Sequence, residues 1–327
     1  MAITVPESWK GWATFTPTPS GCWVDLMLTP CPITIFGEVL FDCFPDGTEV
    51  LGGAPFNVAW HLRGFGLAPI FISRVGTDRR GDAIRSAMTS WGLEPSFLQV
   101  DASHPTGRVA VTFQADEPNY EIVPGSAYDV IQSEGFQHLP ASGLLYHGTL
   151  ALRHSASAAA LAALKGRHRG QIFLDVNLRS PWWSPESVLP LVEDADHVKL
   201  NTAELALLTS EDLAAVDGES LSASVDRFAH RHHLETLILT RGVLGALVWS
   251  DGRIVSVRPA ACTHVVDTVG AGDGFAAAFL LGLGQQWPLE ESLEHARDFA
   301  AELVSRRGAT IDDVSVYEQF LMAWSSS

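Results

Sequence analysis

Residues 267–275 read Asp-Thr-Val-Gly-Ala-Gly-Asp-Gly-Phe, and this segment constrains the fold more than any other part of the chain. The preceding residues, 263–266, have the composition of a strand, and the apolar run 275–283 predicts a helix. Small residues at the mouth of a helix let a ligand approach the main chain closely. The first-turn N–H groups of a helix have no internal partners and lie at the positive end of its dipole. The segment therefore predicts a strand, a turn and a helix that together bind an anion such as phosphate.

Asp273 lies inside this predicted anion site, where its own charge should repel a phosphate. The conflict is resolved if Asp273 accepts a proton as a general base while main-chain N–H groups hold a phosphoryl group in transfer. The N–H groups expected to do so belong to Gly270, Ala271 and Gly272. The alternative is that Asp273 only caps the helix. An isolated Gly-Asp pair would favour that alternative, whereas the whole segment favours the catalytic interpretation.

Short apolar runs alternate with helix-like segments along most of the chain, and 46% of the residues are hydrophobic. This alternation predicts an α/β fold in which a mostly parallel central sheet is flanked by helices. Strands are predicted at 33–36, 70–74, 144–147, 172–176, 198–200 and 236–239, with a hairpin at 246–249 and 253–257. Helices are predicted at 56–65, 82–91, 157–164, 203–208, 221–230 and 289–306.

A second glycine-rich segment, Gly52-Gly53-Ala54-Pro55-Phe56-Asn57, stands at the first predicted helix. Together with residues 267–275 it resembles the ribokinase-like (PfkB) carbohydrate kinases, and within them the fructokinase-type branch, over roughly residues 33–310. The resemblance implies a ribokinase-like three-layer fold with a small β lid. It also implies transfer of the γ-phosphoryl group of ATP, with Mg²⁺, to a primary sugar hydroxyl. Fructose is the first expectation; ribose, a nucleoside, 2-keto-3-deoxygluconate and 5-dehydro-2-deoxygluconate are alternatives, as is a non-catalytic sugar- or nucleotide-binding regulator.

Two segments, 49–51 and 97–122, carry strand character without helices between their strands. We interpret them as the lid, at about 43–52 and 96–124 of a kinase domain spanning 32–327. A lid suits a kinase because water must be kept from the phosphoryl group. An exposed lid sheet can also pair with a second copy, so a homodimer through the lid is an open expectation.

Residues 1–31 are rich in Thr, Pro and Trp and show no hydrophobic period. They predict a loose N-terminal extension, with Met27 as an alternative natural start. The competing interpretation is an arm that packs on the body through Trp9, Trp12 and Trp23.

The predicted sugar site combines residues from the first strand, the glycine-rich segment and the lid. Asp42 can accept hydrogen bonds from two vicinal hydroxyls, and the resemblance implies that Gly53 and Asn57 contact the sugar while Gly52 lets the chain turn close to it. The alternatives are that Asp42 is a turn residue and that Asn57 is a local cap. Arg108 is expected either to contact the substrate or product phosphate or to be a solvated charge at the lid edge.

The predicted nucleotide site draws on three segments that follow apolar strands, and the first two carry polar side chains suited to phosphate and Mg²⁺. Asn177 and Arg179 occupy an Asp-x-Asn-x-Arg segment, and the guanidinium can clamp a phosphate unless it pairs with Asp175 instead. Asn201 and Glu204 match the family's Asn-x-x-Glu motif, which implies that Glu204 organises Mg²⁺ through water. The alternative for this pair is a helix cap with a favourable first-turn acid.

A third segment, 240–245, follows the strand predicted at 236–239. The resemblance places Thr240, Gly242 and Gly245 beside the nucleotide phosphates; a glycine turn leading into a hairpin is the alternative. Some relatives bind a monovalent cation near the late motif, and Asp267 and Gly308 occupy the matching positions. A K⁺ site there is therefore an open expectation.

The net charge of −17, from 38 acidic and 21 basic residues, argues against nucleic acid or an anionic membrane as a partner. The cysteines show no Cys-x-x-Cys spacing, which is typical of reduced thiols in a cytosolic protein; they are Cys22, Cys31, Cys43 and Cys262. With no signal-peptide pattern or membrane-length apolar run, we expect a cytoplasmic enzyme. A dinucleotide-dependent oxidoreductase is disfavoured because Phe275 stands where the third glycine of Gly-x-Gly-x-x-Gly belongs.

Overall fold

The computed structural model describes residues 31–114, 117–213, 218–260 and 264–325. The predicted N-terminal extension, apart from Cys31, lies outside the described residues, as do Cys262 and Thr263. None of the helices in the described part of the chain combines the length and hydropathy needed to span a bilayer.

The described strands form two sheets. In chain order they are β1 (Ile33–Phe36), β2 (Leu40–Cys43), β3 (Glu49–Gly52), β4 (Ile70–Gly76), β5 (Leu98–Asp101), β6 (Gly107–Gln114), β7 (Glu117–Ile122), β8 (Leu144–His147), β9 (Gln171–Asp175), β10 (His197–Asn201), β11 (Thr236–Thr240), β12 (Ala246–Ser250) and β13 (Arg253–Val257). The larger sheet has nine strands in the order β13-β12-β11-β10-β9-β8-β1-β4-β5. From β11 to β5 all neighbours run parallel, and β12 and β13 add an antiparallel hairpin at one edge. The predicted mostly parallel sheet is confirmed.

Most of the helices lie between strands of the larger sheet in chain order, and the last three follow its final strand. The helices are α1 (Ala54–Gly64), α2 (Arg79–Trp91), α3 (Ser155–Arg167), α4 (Pro185–Glu193), α5 (Thr202–Thr209), α6 (Gly218–Arg231), α7 (Ala271–Gly284), α8 (Leu289–Val304) and α9 (Val314–Trp324). Each predicted helix has its counterpart, and α2 ends at Gly92 in the left-handed conformation, as a glycine C-cap permits.

Helices cover both faces of the larger sheet, and the strand residues show this directly. In β1, Ile35 packs in the cluster that contains α1, α2 and α7–α9, whereas Phe36 packs with α3. In β9, Phe173 belongs to the first cluster and Leu174 packs with α4–α6. Successive side chains of a strand point to opposite faces, so a sheet buried on both faces needs continuous apolar runs. The predicted three-layer α/β fold is confirmed.

The polar residues at the ends of parallel strands lie along one edge of this sheet. Glu38 follows β1, Asp175 ends β9, Asn201 ends β10 and Thr240 ends β11. Because these strands run in the same direction, their carboxyl ends meet at the edge where open α/β sheets bind ligands.

The smaller sheet has the order β3-β2-β6-β7, and two predictions about it are wrong. Asp42 was expected at the end of the first strand, but that strand ends at Phe36, and Asp42 lies within a separate strand, β2. Residues 98–101 do not join the smaller sheet either. As β5 they pair in parallel with β4, because Leu98 is buried in the main core.

The predicted strand before the late glycine motif is also wrong for the residues described. Residues 264–268 have no regular structure. Val265 and Val266 are 59% and 45% exposed, and the N–H of Val266 donates to the carbonyl of Val304 at 2.8 Å. The segment is therefore held by the end of α8 and not by a neighbouring strand.

Helix α7 is fixed by close packing at its first turn. A Cβ at Gly274 would collide with Leu303 of α8 and lie 3.3 Å from the ring of Phe299. Phe299 is fully buried and packs against aromatic rings of α1, the residue that follows it and α9; these are His61, Phe65, Tyr317 and Phe320. One ring therefore couples α8 to α1 and α9 directly beside the start of α7.

Phe299→Ala is expected to lower the free energy of unfolding by about 3–5 kcal/mol, because truncating a fully buried aromatic side chain leaves a cavity. Phe320→Ala is the matched control: Phe320 belongs to the same cluster but is only partly buried, so a smaller loss is expected. Urea unfolding of both variants measures the difference. Equal losses of unfolding free energy in the two variants would contradict the conclusion that Phe299 is the ring that couples α8 to α1 and α9.

Candidate active site

The mouth of α7 is shaped by a glycine that no other residue can replace without strain. Gly270 is the N-cap with φ 78°, and a Cβ there would lie 2.5 Å from Cα of Ala309. Gly272, in the first turn, is exposed. The N–H of Ala271 makes only a long 3.4 Å bond to the carbonyl of Thr268. The first turn thus presents main-chain N–H groups beside exposed main chain, the arrangement that binds anions.

Asp273 and Asn57, which lie 216 residues apart in sequence, meet at this mouth. The amide Nδ2 of Asn57 donates to Oδ2 of Asp273 at 2.7 Å. Burial raises the pKa of Asp273 to about 6, opposed by the Asn57 hydrogen bond. The charge of Asp175 raises it further, and those of Lys199 and Arg179 lower it. A carboxyl with that pKa is ionised, but only weakly acidic, at neutral pH, which suits a general base.

Arg179 connects the sites that were predicted separately. Its side chain is exposed, and its positive charge lowers the pKa values of Asp42, Asp273 and Glu38. Burial is the larger effect on Asp42 and leaves the pKa of that carboxyl above its ordinary value. One guanidinium therefore acts electrostatically on three carboxyl groups, from β2, α7 and the β1–β2 connection.

A buried ion pair that was not predicted lies beneath the mouth of α7. Nζ of Lys199 donates to both carboxylate oxygens of Asp175, at 2.9 and 2.8 Å, and the hydroxyl of Tyr146 donates to the same carboxylate at 3.2 Å. A Cβ at Gly272 would lie 3.7 Å from Nζ of Lys199. The ammonium therefore stands directly under the anion site.

This ion pair also overturns one alternative from the sequence. Arg179 does not pair with Asp175, because Lys199 occupies both of its carboxylate oxygens. The signal for Lys199 was available: a lysine inside an apolar strand that must be buried needs a buried acid as its partner.

Asn201 and Glu204 form a helix cap at the start of α5. The N–H of Glu204 donates to Oδ1 of Asn201 at 2.9 Å, and the N–H of Asn201 donates to Oε2 of Glu204 at 2.8 Å. Glu204 is buried and also accepts the N–H of Leu178 at 2.9 Å. Burial raises its pKa, against the lowering effect of the backbone donors. The capping alternative is thus realised, in a position that faces the edge of the sheet.

Thr240 and Gly242 share a cavity of about 340 Å³ with Asn201. Its other lining residues are mainly apolar or small; they are Thr202, Ala203, Leu213, Leu221, Arg241 and Leu244. Gly245 lies apart from this lining. A Cβ there would collide with the carbonyl of Val257 in β13, so this glycine is needed for the hairpin. The turn alternative therefore describes Gly245, while Thr240 and Gly242 line the cavity.

The remaining sugar-side residues of the sequence prediction divide into two groups. Gly52 lies next to Asp42, since a Cβ there would be 3.7 Å from Oδ2 of Asp42. Gly53 has φ 110°, and a Cβ there would lie 2.8 Å from the carbonyl oxygen of Glu38, so its small size serves chain packing. Arg108 is exposed and lies opposite Phe41 in the register of the smaller sheet, on the face opposite to that of Asp42.

The predicted cation residues are adjacent. Oδ1 of Asp267 accepts the N–H of Val269 at 3.0 Å, and Oδ2 accepts the N–H of Gly308 at 3.3 Å. Asn177 lies at the sheet edge with φ 40°, an unusual backbone conformation that often marks ligand sites. Across the described ranges, no group of three or more His, Cys, Asp or Glu residues is arranged to hold a metal ion.

The comparisons with known proteins agree on one family. The family model described as pfkB family carbohydrate kinase matches residues 43–315. Among curated proteins, the chain is 31% identical over 263 residues to a fructokinase of Klebsiella pneumoniae, covering 77% of this chain and 84% of the relative.

Solved structures show the same fold at lower identity. A Vibrio cholerae fructokinase in a fructose, ADP and calcium ion bound form superposes with a TM-score of 0.75 at 24% identity, over 89% of this chain and 99% of that one. Aminoimidazole riboside kinase from Salmonella enterica gives 0.76 at 23% identity, again over 89% and 99% of the two chains. The resemblance stated from the sequence is confirmed.

Lys199→Met is expected to lower the free energy of unfolding by about 3–5 kcal/mol, because Asp175 is left buried without its cation. The double variant Lys199→Met with Asp175→Leu removes the uncompensated charge and should recover most of that loss. Recovery will be incomplete because Tyr146 loses its acceptor. Urea unfolding measures all three; a single variant as stable as the wild type would contradict the assignment.

Proposed function

The chain belongs to the pfkB family of carbohydrate kinases and is an ATP-dependent sugar kinase, and from that premise we propose that it phosphorylates fructose to fructose 6-phosphate. The observation that carries the catalytic part is the 2.7 Å hydrogen bond that holds Asp273 to Asn57 at the exposed mouth of α7. The choice of fructose is supported by the name of the Klebsiella pneumoniae relative.

In the proposed reaction Asp273 takes the proton of the primary hydroxyl as that oxygen attacks the γ-phosphorus of ATP. The bond from the γ-phosphorus to the bridging oxygen breaks in the same step, and ADP leaves. The pKa of Asp273, about 6, leaves it ionised at neutral pH and basic enough to accept the proton late in the transfer. The N–H groups of Gly270, Ala271 and Gly272 hold the transferred group, with the Lys199 ammonium beneath them. Phosphoryl transfer depends mainly on positioning and electrostatics, which this arrangement supplies.

The sugar is proposed to lie between Asp42 and Asp273. Asp42 accepts hydrogen bonds from two hydroxyls, while Gly52 and Gly53 keep the main chain close. Asn57 orients the base through its side chain. Arg179, exposed among the surrounding carboxyl groups, contacts substrate or phosphate as a two-pronged donor. Arg108 is the weakest of the proposed contacts, because it lies on the other face of the smaller sheet.

The nucleotide is proposed to occupy the cavity beside β10 and β11. Its volume of about 340 Å³ is within the range of small-molecule sites. Leu213, Leu221 and Leu244 supply an apolar slot for the base. Thr240, Gly242, Asn201 and Asn177 lie toward the phosphates, at the same sheet edge as the mouth of α7. Gly245 contributes only by closing the hairpin.

Mg²⁺ and K⁺ are proposed as the ions of this site. Each carboxylate oxygen of Glu204 has accepted an N–H but keeps a second lone pair, which fits a contact to Mg²⁺ through water. Bound there with the nucleotide, Mg²⁺ would offset phosphate charge. Asp267 and the main chain around Gly308 are the residues that would hold K⁺, because they already lie within hydrogen-bond distance of each other.

The smaller sheet is proposed to act as a lid over the sugar and as the contact surface of a homodimer. Its edge strands β3 and β7 carry exposed Val50 and Tyr120. Exposed apolar side chains on edge strands favour pairing with another copy. Light scattering of the purified protein tests this, and a monomer at micromolar concentration would refute it.

One observation favours a second substrate class, the keto-sugar acids. The exposed guanidinium of Arg179 acts on Asp42 and Asp273 together, so it lies where a substrate carboxylate could reach it. A panel of fructose, ribose, 2-keto-3-deoxygluconate and 5-dehydro-2-deoxygluconate with ATP, followed by product mass, separates these candidates. Phosphorylation of a sugar acid in preference to fructose would overturn the fructose assignment.

Asp273→Asn is expected to reduce kcat by about two to four orders of magnitude, because the general base is lost. Asp46→Asn, an exposed carboxylate in the turn between β2 and β3, is the control and should keep wild-type turnover. Steady-state assays at saturating ATP give kcat and KM for each variant. Near-normal turnover of Asp273→Asn would rule out the base role.

The kcat/KM for the sugar is expected to fall as the pH drops below about 6, since Asp273 acts only in its ionised form. Asn57 lowers the pKa of Asp273 by donating to it, so Asn57→Leu should move this acid limb to higher pH. The pH profiles of both proteins provide the measurement. An unchanged limb in Asn57→Leu would show that the titrating group is another residue.

A further inference from the structure

Among the buried side-chain atoms that have no hydrogen-bond partner in the described residues, two acceptors bear on the orientation of the proposed base. They are Oδ1 of Asn57 and Oε2 of Glu38. The amide of Asn57 is oriented by its other end, because the carboxylate of Asp273 can only accept and so requires Nδ2 on its side. Oδ1 therefore points away from Asp273 as an unmet acceptor. Unmet acceptors inside a protein are costly.

Glu38 lies at the base of the helix turn that carries Asn57. Its carbonyl oxygen would lie 2.8 Å from a Cβ at Gly53, and Gly53 in turn accepts the N–H of Asn57 at 2.8 Å. The Glu38 side chain is 3% exposed, and the residue connects β1 to β2. Glu38 therefore lies between the edge of the larger sheet and the first turn of α1.

Glu38 has no cation in direct contact among the described residues. Arg153 is bound to Asp129, with contacts of 2.7 and 2.9 Å, and Arg179 is exposed to solvent. Burial raises the pKa of Glu38 to about 7, with smaller opposing effects of its own backbone and of Arg179. The titratable or charged groups whose fields reach it are Arg179, Arg153, Asp273, Tyr128 and Tyr146. A buried acid without a cation is most stable when protonated.

We propose that Glu38 is a positioning residue which, as a neutral acid, donates its proton to Oδ1 of Asn57 and so holds the Asn57 amide in the orientation that binds Asp273. One proton then satisfies both unmet atoms. The resulting chain runs from the Glu38 carboxyl through the Asn57 amide to the Asp273 carboxylate. Its catalytic meaning rests on the proposed kinase reaction, whereas the protonation of Glu38 does not.

The chain of hydrogen bonds from Glu38 to Asp273 is expected to break at alkaline pH. Ionised Glu38 can only accept, so it would face the carbonyl end of Asn57 with two acceptors opposed. The orientation of the Asn57 amide is then no longer fixed, and Asp273 loses the hydrogen bond from Nδ2 of Asn57. Activity should therefore fall as the pH rises past the pKa of Glu38, and the negative charge of bound ATP moves that limb above the ligand-free value.

The test compares Glu38→Gln with Glu38→Met. Gln is neutral at every pH and its amide can donate to Asn57, so this variant should keep kcat/KM within about threefold of wild type and lack the alkaline limb. Met has a similar size but cannot donate, and its kcat should fall about ten- to a hundredfold with little change in KM. Melting temperatures of all proteins verify that they are folded.

An alkaline limb in Glu38→Gln equal to that of wild type would overturn the proposal, as would a Gln variant as impaired as Met. A wild-type profile with no alkaline limb would also overturn the proposal. That result is expected if Glu38 is ionised throughout and a water molecule bridges it to Asn57. If Glu38→Met does not fold, the profiles of the Gln variant and the wild type decide alone.

A measurement without substrate separates this proposal from the proposed function. The folded-state pKa of Glu38 stands above its ordinary value of 4.5, so its contribution to stability is complete below that pH and is lost as the pH rises toward about 7. The melting temperature of wild type relative to Glu38→Gln should therefore fall between those values and then level off. A constant difference would overturn protonation of Glu38, whereas an inactive wild-type enzyme would refute only the kinase assignment.

Discussion

The hydrogen bond between Asn57 and Asp273 is the interaction on which the rest of the site depends. It joins the first turns of α1 and α7, two helices that are far apart in sequence and packed on the same face of the sheet. Each helix start is fixed by a glycine with positive φ, Gly53 and Gly270, and each glycine is closely packed against other main chain. The carboxyl proposed as the base is therefore positioned by main-chain geometry at both helix starts and not by a flexible loop.

Burial and charge together set the pKa of this proposed base. Burial makes the largest contribution to the raised pKa of Asp273, and the charge of the neighbouring Asp175 raises that pKa further. The Asn57 amide, Lys199 and Arg179 work in the opposite direction. The balance leaves a carboxyl that is ionised at neutral pH yet holds a proton more readily than an exposed one. Such a balance requires contributions from α1, β10 and the segment after β9, which explains why residues so distant in sequence are needed.

Much of this could be predicted from the sequence, because the parallel strands are short apolar runs and the helix starts carry glycine or proline. The late motif, the early motif and the partner helices were all recognised from residues that act locally. The sequence did not predict the pairing of strands that are distant along the chain. β5 joins the larger sheet through Leu98, and β2 was not distinguished from β1. Lys199 and Glu38 were missed for a related reason. A charge inside an apolar segment becomes informative only when its buried partner, or the lack of one, is known.

The pairing of Lys199 with Asp175 leaves the floor of the anion site electrically balanced. The helix dipole contributes only about half a positive charge, and Arg179 stands in solvent at the rim. Such a floor has little spare attraction for a tetravalent polyphosphate, so the nucleotide of the proposed reaction would have to bring most of its counter-charge with it. The low positive charge of the floor would also favour the release of ADP, because no strongly cationic group would hold it after phosphoryl transfer.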